Sequence, residues 1–350
     1  MNIIIFAGGA GTRLWPISRK NSPKQFEKLQ GDTSTLQLAY NRVAHYGVDN
    51  IFVSTNKNYK DLVLGQLPQI KEKNIFTEPA RRDLGAAVLL TLLRLKRDGV
   101  TGTLGMLWSD HFMKNEAAFT DALLTAEILI SQNPNRFVFL AEQPRFANHN
   151  LGWIHVGDQI EDTSYQFKGW KYRPELKDCN NMFKSGEWFW NPGYFIFDIE
   201  FVLELYKKHQ LALYDQLSSM MENEDLLEKN YETLPKISFD EAVVEHIDQD
   251  QAVVLKVQMG WSDPGTLYAL KEVISQSKEQ NATKGNVSLY ETEDCLVYNE
   301  EDTKIVTTIG LDGMLVINTK DGLLVCHKDD SHKVKELLAQ MEGNGLEKYL

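Results

Sequence analysis

Gly8, Gly9 and Gly11 close the apolar run Ile3-Ile4-Ile5-Phe6, and Arg13, Arg19, Lys20, Lys24 and Lys28 follow. Glycine lets backbone N–H groups approach an anion without interference from Cβ, and it alone takes positive φ at low cost. A strand that feeds such a loop is a phosphate-binding arrangement. Over residues 1–30 those five bases meet a single acid, Glu27, in a chain whose net charge is -12. Positive charge is therefore concentrated where a polyphosphate would lie. A dinucleotide fingerprint needs a further glycine three residues after Gly11, where Leu14 stands, and is disfavoured. The Gly-Lys-Ser/Thr tripeptide of a Walker A loop occurs nowhere in the chain.

The elements that must position this loop alternate in type. Periodicity predicts helices over residues 34–46, 59–67, 83–97 and 116–131, with strands over 51–54, from 75, over 105–108 and over 137–140. Alternation of this kind predicts an α/β domain, Rossmann-like, with a mixed, mainly parallel sheet, over residues 1–275. Asp83 is placed to cap the helix that follows it. Asp110 stands just past the 105–108 strand, where a carboxylate can hold Mg²⁺ against phosphates or equally cap a helix. Asn191, beside a turn and framed by Trp188, Trp190 and Tyr194, suits hydrogen bonds to sugar hydroxyls, or is a turn residue of a core strand. Asp240 is placed to cap a helix carrying Glu241 and Glu245 on one face, where the acids are structural as readily as functional.

From about residue 280 the pattern becomes short strands over 286–290, 295–298, 305–309 and 314–317, separated by Gly, Asn and Asp turns. A small C-terminal β domain is expected over 280–350. No repeat is regular enough to predict a solenoid. The tail from Ser331 to Met341 reads as an amphipathic helix with a face for a partner subunit, so a homodimer is among the expectations.

The chain is 43% apolar and 25% charged, an ordinary globular composition. A pI near 5.2 argues against nucleic acid or an anionic membrane as partner. Cys179, Cys295 and Cys326 are odd in number and widely spaced, so neither a disulfide framework nor a zinc site is expected. The first apolar run is too short to cross a bilayer and lacks a basic leader, and the reading is a cytoplasmic protein.

The stretch Gly8-Gly9-Ala10-Gly11-Thr12-Arg13-Leu14-Trp15-Pro16, then Ser18-Arg19 and Pro23-Lys24-Gln25-Phe26, resembles the signature of the sugar-nucleotide pyrophosphorylases. Trp15-Pro16 and Lys24-Gln25-Phe26 are most similar to the mannose-1-phosphate guanylyltransferase branch. The likeness runs over roughly the first 270 residues. It implies nucleotide binding by Ala7, Gly8, Gly9, Gly11, Thr12 and Arg13, and by Glu78, Arg82 and Asp83, whose stretch resembles a Glu-Pro-x-x-Arg-Asn-Thr-Ala motif beside base and ribose. Ser109-Asp110-His111 resembles the family's metal motif, which implies that Ser109 and Asp110 serve the nucleotide. Gly260-Trp261-Ser262-Asp263-Pro264-Gly265 resembles the motif whose aspartate completes the metal site, so Asp110 and Asp263 are the implied Mg²⁺ ligands. Lys24, Gly152, Arg173, Asn191 and Asp263 are the implied sugar-phosphate residues.

Departures from the family pattern fall at Asp83, Leu84, Tyr172, Arg173 and Pro192, mostly on the sugar side. The C-terminal strands resemble the family's left-handed β-helix more weakly. What the resemblance implies is transfer of GMP from GTP to mannose 1-phosphate with release of pyrophosphate, Arg13 and Lys24 being catalytic. Another sugar 1-phosphate such as a heptose, another base, or a non-catalytic regulatory relative are the alternatives.

Overall fold

The computed structural model describes residues 1–350 except Ala10, Gln30, Asp162 and residues 276–279. Ala10 of the glycine motif and the expected domain boundary between 275 and 280 therefore lie outside the described residues. The strands are β1 Asn2–Phe6, β2 Ile51–Asn56, β3 Ile75–Glu78, β4 Thr103–Trp108, β5 Phe137–Glu142, β6 Gly152–Glu161, β7 Ser164–Tyr172, β8 Trp188–Asn191, β9 Phe195–Asp198, β10 Ala252–Val257, β11 Ala282–Lys284, β12 Val287–Tyr290, β13 Leu296–Asn299, β14 Val306–Ile309, β15 Met314–Asn318 and β16 Leu323–His327.

The first ten form one sheet in the order β10-β7-β6-β8-β5-β9-β4-β1-β2-β3. β4, β1, β2 and β3 are mutually parallel, and β10 is parallel to β5. β7, β8 and β9 run against their neighbours. The sheet is thus mixed, with seven strands running one way and three the other. β1, β2 and β5 are buried along nearly their whole length, as their unbroken apolar runs require when helices cover both faces of a sheet. Phe137, Phe139, Phe195, Phe197 and Phe239 pack ring on ring in this core.

The chain divides into two compact units. One comprises residues 1–8, 39–108 and 113–261 and holds the ten-stranded sheet. The other comprises residues 9–38, 109–112 and 262–350, so the glycine loop from Gly9, Lys24, Asp110 and Asp263 share a unit with the C-terminal strands. Within it, β11, β13 and β15 pair in parallel, β12 pairs in parallel with β14, and β16 closes the first sheet antiparallel. Strands alternate between two parallel ladders, a β-helical course that no sequence repeat announced. Its corners are held by side chains: Asn299 Nδ2 donates to Asn286 O at 3.0 Å and Lys304 O at 2.7 Å, and Asn318 Nδ2 donates to Asn299 Oδ1 at 2.8 Å.

The tail helix Val334–Met341 buries Val334 and Met341 in the core of this same unit, with Leu338 packed against it. The Val334, Leu338 and Met341 stripe is thus covered within the unit, while Leu337 stays exposed. Among the described residues no helix is long and apolar enough to cross a membrane.

Candidate active site

Gly11 has φ 62 and caps the helical turn Thr12–Leu14. A Cβ here would stand 2.8 Å from Lys24 Cγ and 2.9 Å from the Lys24 nitrogen. Both the backbone angle and the closeness of the Lys24 turn thus demand glycine. Gln25 Nε2 donates to Gly9 O at 3.0 Å, and the Ser18 hydroxyl donates to Gly11 O, so the loop is held from its own flank. Arg13 is exposed, and a Cβ on Gly265 would lie 3.5 Å from Arg13 Nη2.

Lys24 is 7% exposed, and its ammonium lies 2.7 Å from Asp110 Oδ2 and 3.1 Å from Asp263 Oδ1. Two aspartates far apart in sequence converge because Phe112 and Ser262 exchange both backbone hydrogen bonds at 3.0 Å. Burial would lower the Lys24 pKa, yet the two facing carboxylates outweigh it and hold the pKa above the usual lysine range. Burial likewise pushes Asp263 up, but Lys24, then His111 and Arg13, bring it down to about 2. His111 Nε2 stands 3.8 Å from Asp110 Oδ1. At neutral pH the centre therefore holds a charged Lys24 ammonium against an ionised Asp263.

Such a donor set fits a hard divalent cation. Mg²⁺ takes one or two carboxylates and completes its shell with phosphate oxygens and water. Among the described residues no group of three or more His, Cys, Asp or Glu could hold a metal alone. Asp110 and Asp263 are 24% and 32% exposed along their side chains, accessible to a phosphate-bound ion.

In the sheet-bearing unit, Ala7 continues β1, donating to Ser54 O at 2.7 Å and accepting from Thr55 Oγ1 at 2.8 Å. A Cβ on Gly8 would be 3.3 Å from Glu78 Oε1. Burial raises the Glu78 carboxyl to about 7, against a hydrogen bond from the Tyr231 hydroxyl at 3.3 Å and the charge of Arg81. Arg82 Nη2 lies 3.7 Å from Glu232.

Asp83 departs from its expected role. It stands at φ 63, the cap position is Arg82 with no side-chain cap, and the Asp83 carboxylate accepts from the adjacent Leu84 N–H, at 2.8 Å. The Asp240 expectation is corrected too. Ser238 is the N-cap and forms a capping box with Glu241 over a helix of only Phe239–Ala242, so Glu241 and Glu245 do not share a helical face. Burial raises Asp240 to about 6, opposed by a backbone hydrogen bond and aided by Glu245, Glu241 and Asp83.

Among the residues expected to meet the sugar phosphate, β6 and β8 place Gly152 opposite Asn191, and a Cβ on Gly152 would touch Asn191 Cβ at 3.4 Å. Asn191 Oδ1 accepts from Gly193 N–H at 2.9 Å, which fixes the amide, and Trp108 Nε1 donates to Gly193 O at 3.0 Å. Tyr172 pairs with Gly152 in the sheet, and Arg173 follows at φ 45 with its guanidinium 5.1 Å from the Tyr172 ring. Tyr172 is 65% exposed, so Arg173 stacks on an outward ring.

Of the five bases in the first thirty residues, Arg19 and Lys20 meet C-terminal partners of their own unit. Arg19 pairs with Asp321 at 2.5 Å and Lys20 with Glu342 at 3.0 Å. That leaves Arg13, Lys24 and the exposed Lys28 of the five, and of these Lys24 is the one that meets Asp110 and Asp263. Two residues escaped the sequence reading. Tyr231 reaches Glu78 from a distant turn, with no local signal. Glu142, 1% exposed, accepts from Met259 N–H at 2.8 Å and Trp261 N–H at 3.2 Å, and Arg145 bridges from it to Trp261 O. This clamp fixes the backbone two residues before Asp263, and a charged residue ending an apolar strand was its available signal.

A glycine loop at a strand end, a lysine held between two aspartates and a mixed α/β sheet define a nucleotidyl-transferring class of protein. Residues 2–280 match the nucleotidyl transferase family model, and the chain belongs to that family. Residues 285–341 match the MannoseP isomerase/GMP-like beta-helix domain. The chain is 30% identical over 353 residues to the alginate biosynthesis protein AlgA of Pseudomonas syringae pv. tomato, covering 98% of this chain and 72% of AlgA. It is 29% identical over 358 residues to the mannose-1-phosphate guanylyltransferase RfbM of Salmonella typhimurium, covering 99% and 73%. A crystal structure of mannose-1-phosphate geranyltransferase from Thermus thermophilus superposes with a TM-score of 0.88 at 28% identity, covering 98% of this chain and 99% of that one. Substrates in this family are a nucleoside triphosphate and a sugar 1-phosphate, and a divalent metal is generally used.

Proposed function

We propose that this protein is a mannose-1-phosphate guanylyltransferase: it joins GTP and mannose 1-phosphate to give GDP-mannose and pyrophosphate. The observation that carries the reading is the Lys24 ammonium held between Asp110 and Asp263 beside the glycine turn at Gly11. Names of relatives such as RfbM supply the substrate pair. In the reaction a phosphate oxygen of the sugar 1-phosphate attacks the α-phosphorus of GTP. The new P–O bond forms as the α–β bridge breaks, and pyrophosphate leaves without a covalent protein intermediate.

Positioning and charge neutralisation do most of the work in such transfers. Gly8, Gly9, Gly11 and Thr12 take the triphosphate against backbone N–H groups, and exposed Arg13 neutralises the β- and γ-phosphates. Lys24, whose raised pKa keeps it charged at neutral pH, bridges the α-phosphate and the sugar phosphate as negative charge develops. Asp110 and Asp263 would hold Mg²⁺, which would supply positive charge against the phosphate oxygens. Glu78 contacts the base, with Arg82 and Asp83 at the nucleoside and Ser109 near the phosphates. Gly152, Asn191 and Arg173 take the sugar phosphate. The three free cysteines suit a reducing, cytoplasmic setting.

Arg173, stacked on Tyr172, favours a second reading in which the sugar is not mannose. The test is to incubate the purified chain with GTP, Mg²⁺ and mannose 1-phosphate, or a heptose 1-phosphate, and to identify the products by mass spectrometry. GDP-mannose as main product supports the proposal. GDP-heptose alone would replace the sugar, and no nucleotide sugar from either would refute the activity.

A further inference from the structure

The helical turn Tyr231–Thr233 reaches the 78–82 motif with two consecutive side chains. Tyr231 is fully buried, and its hydroxyl donates to Glu78 Oε2 at 3.3 Å. Glu232 stands 3.7 Å from Arg82. The turn continues the helix Glu224–Asn230, whose first residue pairs with Arg94 Nη2 at 3.2 Å. Arg94 Nη1 in turn donates to the carbonyl of Thr77, the residue before Glu78, at 2.7 Å. β3, which carries Thr77 and Glu78, is the edge strand of the sheet. Arg94 therefore ties that edge to the element that delivers Tyr231.

We infer that Tyr231 is a positioning residue for base selection: its phenol holds the Glu78 carboxylate in one orientation beside Gly8, as an acceptor for the donor edge of guanine. The inference rests on the reading that Glu78 contacts the base. A carboxylate only accepts hydrogen bonds, and guanine offers N1–H and the 2-amino group as donors. Hypoxanthine lacks the amino group, and adenine presents an acceptor at N1. A protonated Glu78 would offer a donor and lose the preference. The groups facing Glu78 are Tyr231, Arg81 and Asp83, and Arg94 faces Tyr231. Burial pushes Glu78 up to about 7, and the Tyr231 hydrogen bond is the largest opposing influence. Without the phenol the carboxyl is neutral over more of the physiological range.

The experiment measures binding of GTP, ITP and ATP with Mg²⁺ to the full chain by calorimetry between pH 6 and 9, for wild type, Tyr231→Phe and Glu78→Gln. Melting temperatures serve as the folding control. Tyr231→Phe should melt near wild type and bind GTP about three- to tenfold more weakly at pH 7, the range of one ordinary hydrogen bond. ITP should be affected less, and the GTP deficit should shrink towards pH 9. Glu78→Gln should lose the GTP preference at every pH. An unchanged GTP/ITP ratio and pH profile in Tyr231→Phe overturns the inference and leaves the proposed activity standing. Equal losses for all three nucleotides with a lowered melting temperature make Tyr231 merely structural and also overturn it. A GTP/ITP ratio that survives Glu78→Gln removes base reading from Glu78, and with it the inference. Wild-type protein that binds no nucleotide refutes the proposed activity and the inference together.

Discussion

Replacing Lys24 by alanine removes the ammonium that faces both Asp110 and Asp263. For a single preorganised electrostatic group the rate cost is about 2.7–4 kcal/mol, roughly a hundred- to thousandfold. The folding cost is smaller. Breaking a fully buried pair costs about 3–5 kcal/mol. Asp110 and Asp263 keep 24% and 32% of their side-chain surface, so water and counterions can take over part of the lysine's role. A stability loss of about 1–2 kcal/mol is expected once that screening is allowed for, or a few degrees in melting temperature for a chain of this size.

The assay is kcat/KM for pyrophosphate release measured beside a melting curve, at a temperature where the variant is fully folded. Lys24→Arg sharpens it, because the charge is kept while the bulkier fork must fit between Asp110 and Asp263, where the lysine ammonium lies 2.7 and 3.1 Å from their oxygens. Its activity should fall between wild type and Lys24→Ala. Activity of Lys24→Ala within threefold of wild type, or a loss no larger than its unfolded fraction, would refute the role given to this ammonium.

Gly11→Ala should cost more than about 1 kcal/mol for the left-handed backbone alone, and should lower kcat further by pushing Lys24 aside; a melting curve and a rate check both. Glu142→Ala takes this acceptor from the Met259 and Trp261 N–H groups and from Arg145 Nη1, which keeps only its second contact to Trp261 O, so a loss of at least about 2 kcal/mol in denaturant unfolding is expected, with kcat reduced through the backbone before Asp263. Glu78 gives a pH test. Its folded pKa of about 7 lies above the ordinary 4.5, so the stability it lends is complete below pH 4.5 and is lost as pH rises through 7. Glu78→Gln should therefore gain on wild type between pH 4.5 and 8, by up to about 3 kcal/mol at 1.36 kcal/mol per pKa unit, in urea unfolding; a difference that does not vary with pH would contradict it.

Legibility in the sequence followed the range of the interactions. The glycine turn, the long helices and the apolar strands are local, and β1 through β5 fell close to where periodicity placed them. Lys24, Asp110 and Asp263 were readable because each sits in a short motif. Their meeting at one ammonium was not readable from spacing, since it depends on the Phe112–Ser262 bridge. Charge at the N-terminus misled for the same reason: Arg19 and Lys20 are neutralised by Asp321 and Glu342, partners that only the C-terminal fold brings near. Asp83 looked like a cap by residue type, but its positive φ turns its carboxylate onto its own neighbour. The β-helical course showed in the sequence only as the weaker resemblance of the C-terminal strands, because its corners are held by Asn299, Asn318 and Gly285 rather than by a regular repeat. Tyr231 and Glu142 act on partners more than a hundred residues away, beyond any local pattern.

The most direct test of the central claim is a matrix of initial rates. Each of GTP, ATP, UTP and dTTP is offered with mannose 1-phosphate, glucose 1-phosphate and a heptose 1-phosphate in the presence of Mg²⁺, and pyrophosphate release is followed for wild type and Lys24→Ala. The account predicts the highest kcat/KM for GTP with mannose 1-phosphate and a loss of roughly a hundred- to thousandfold in the variant. No release from any pair, or release that Lys24→Ala leaves undiminished, would contradict it.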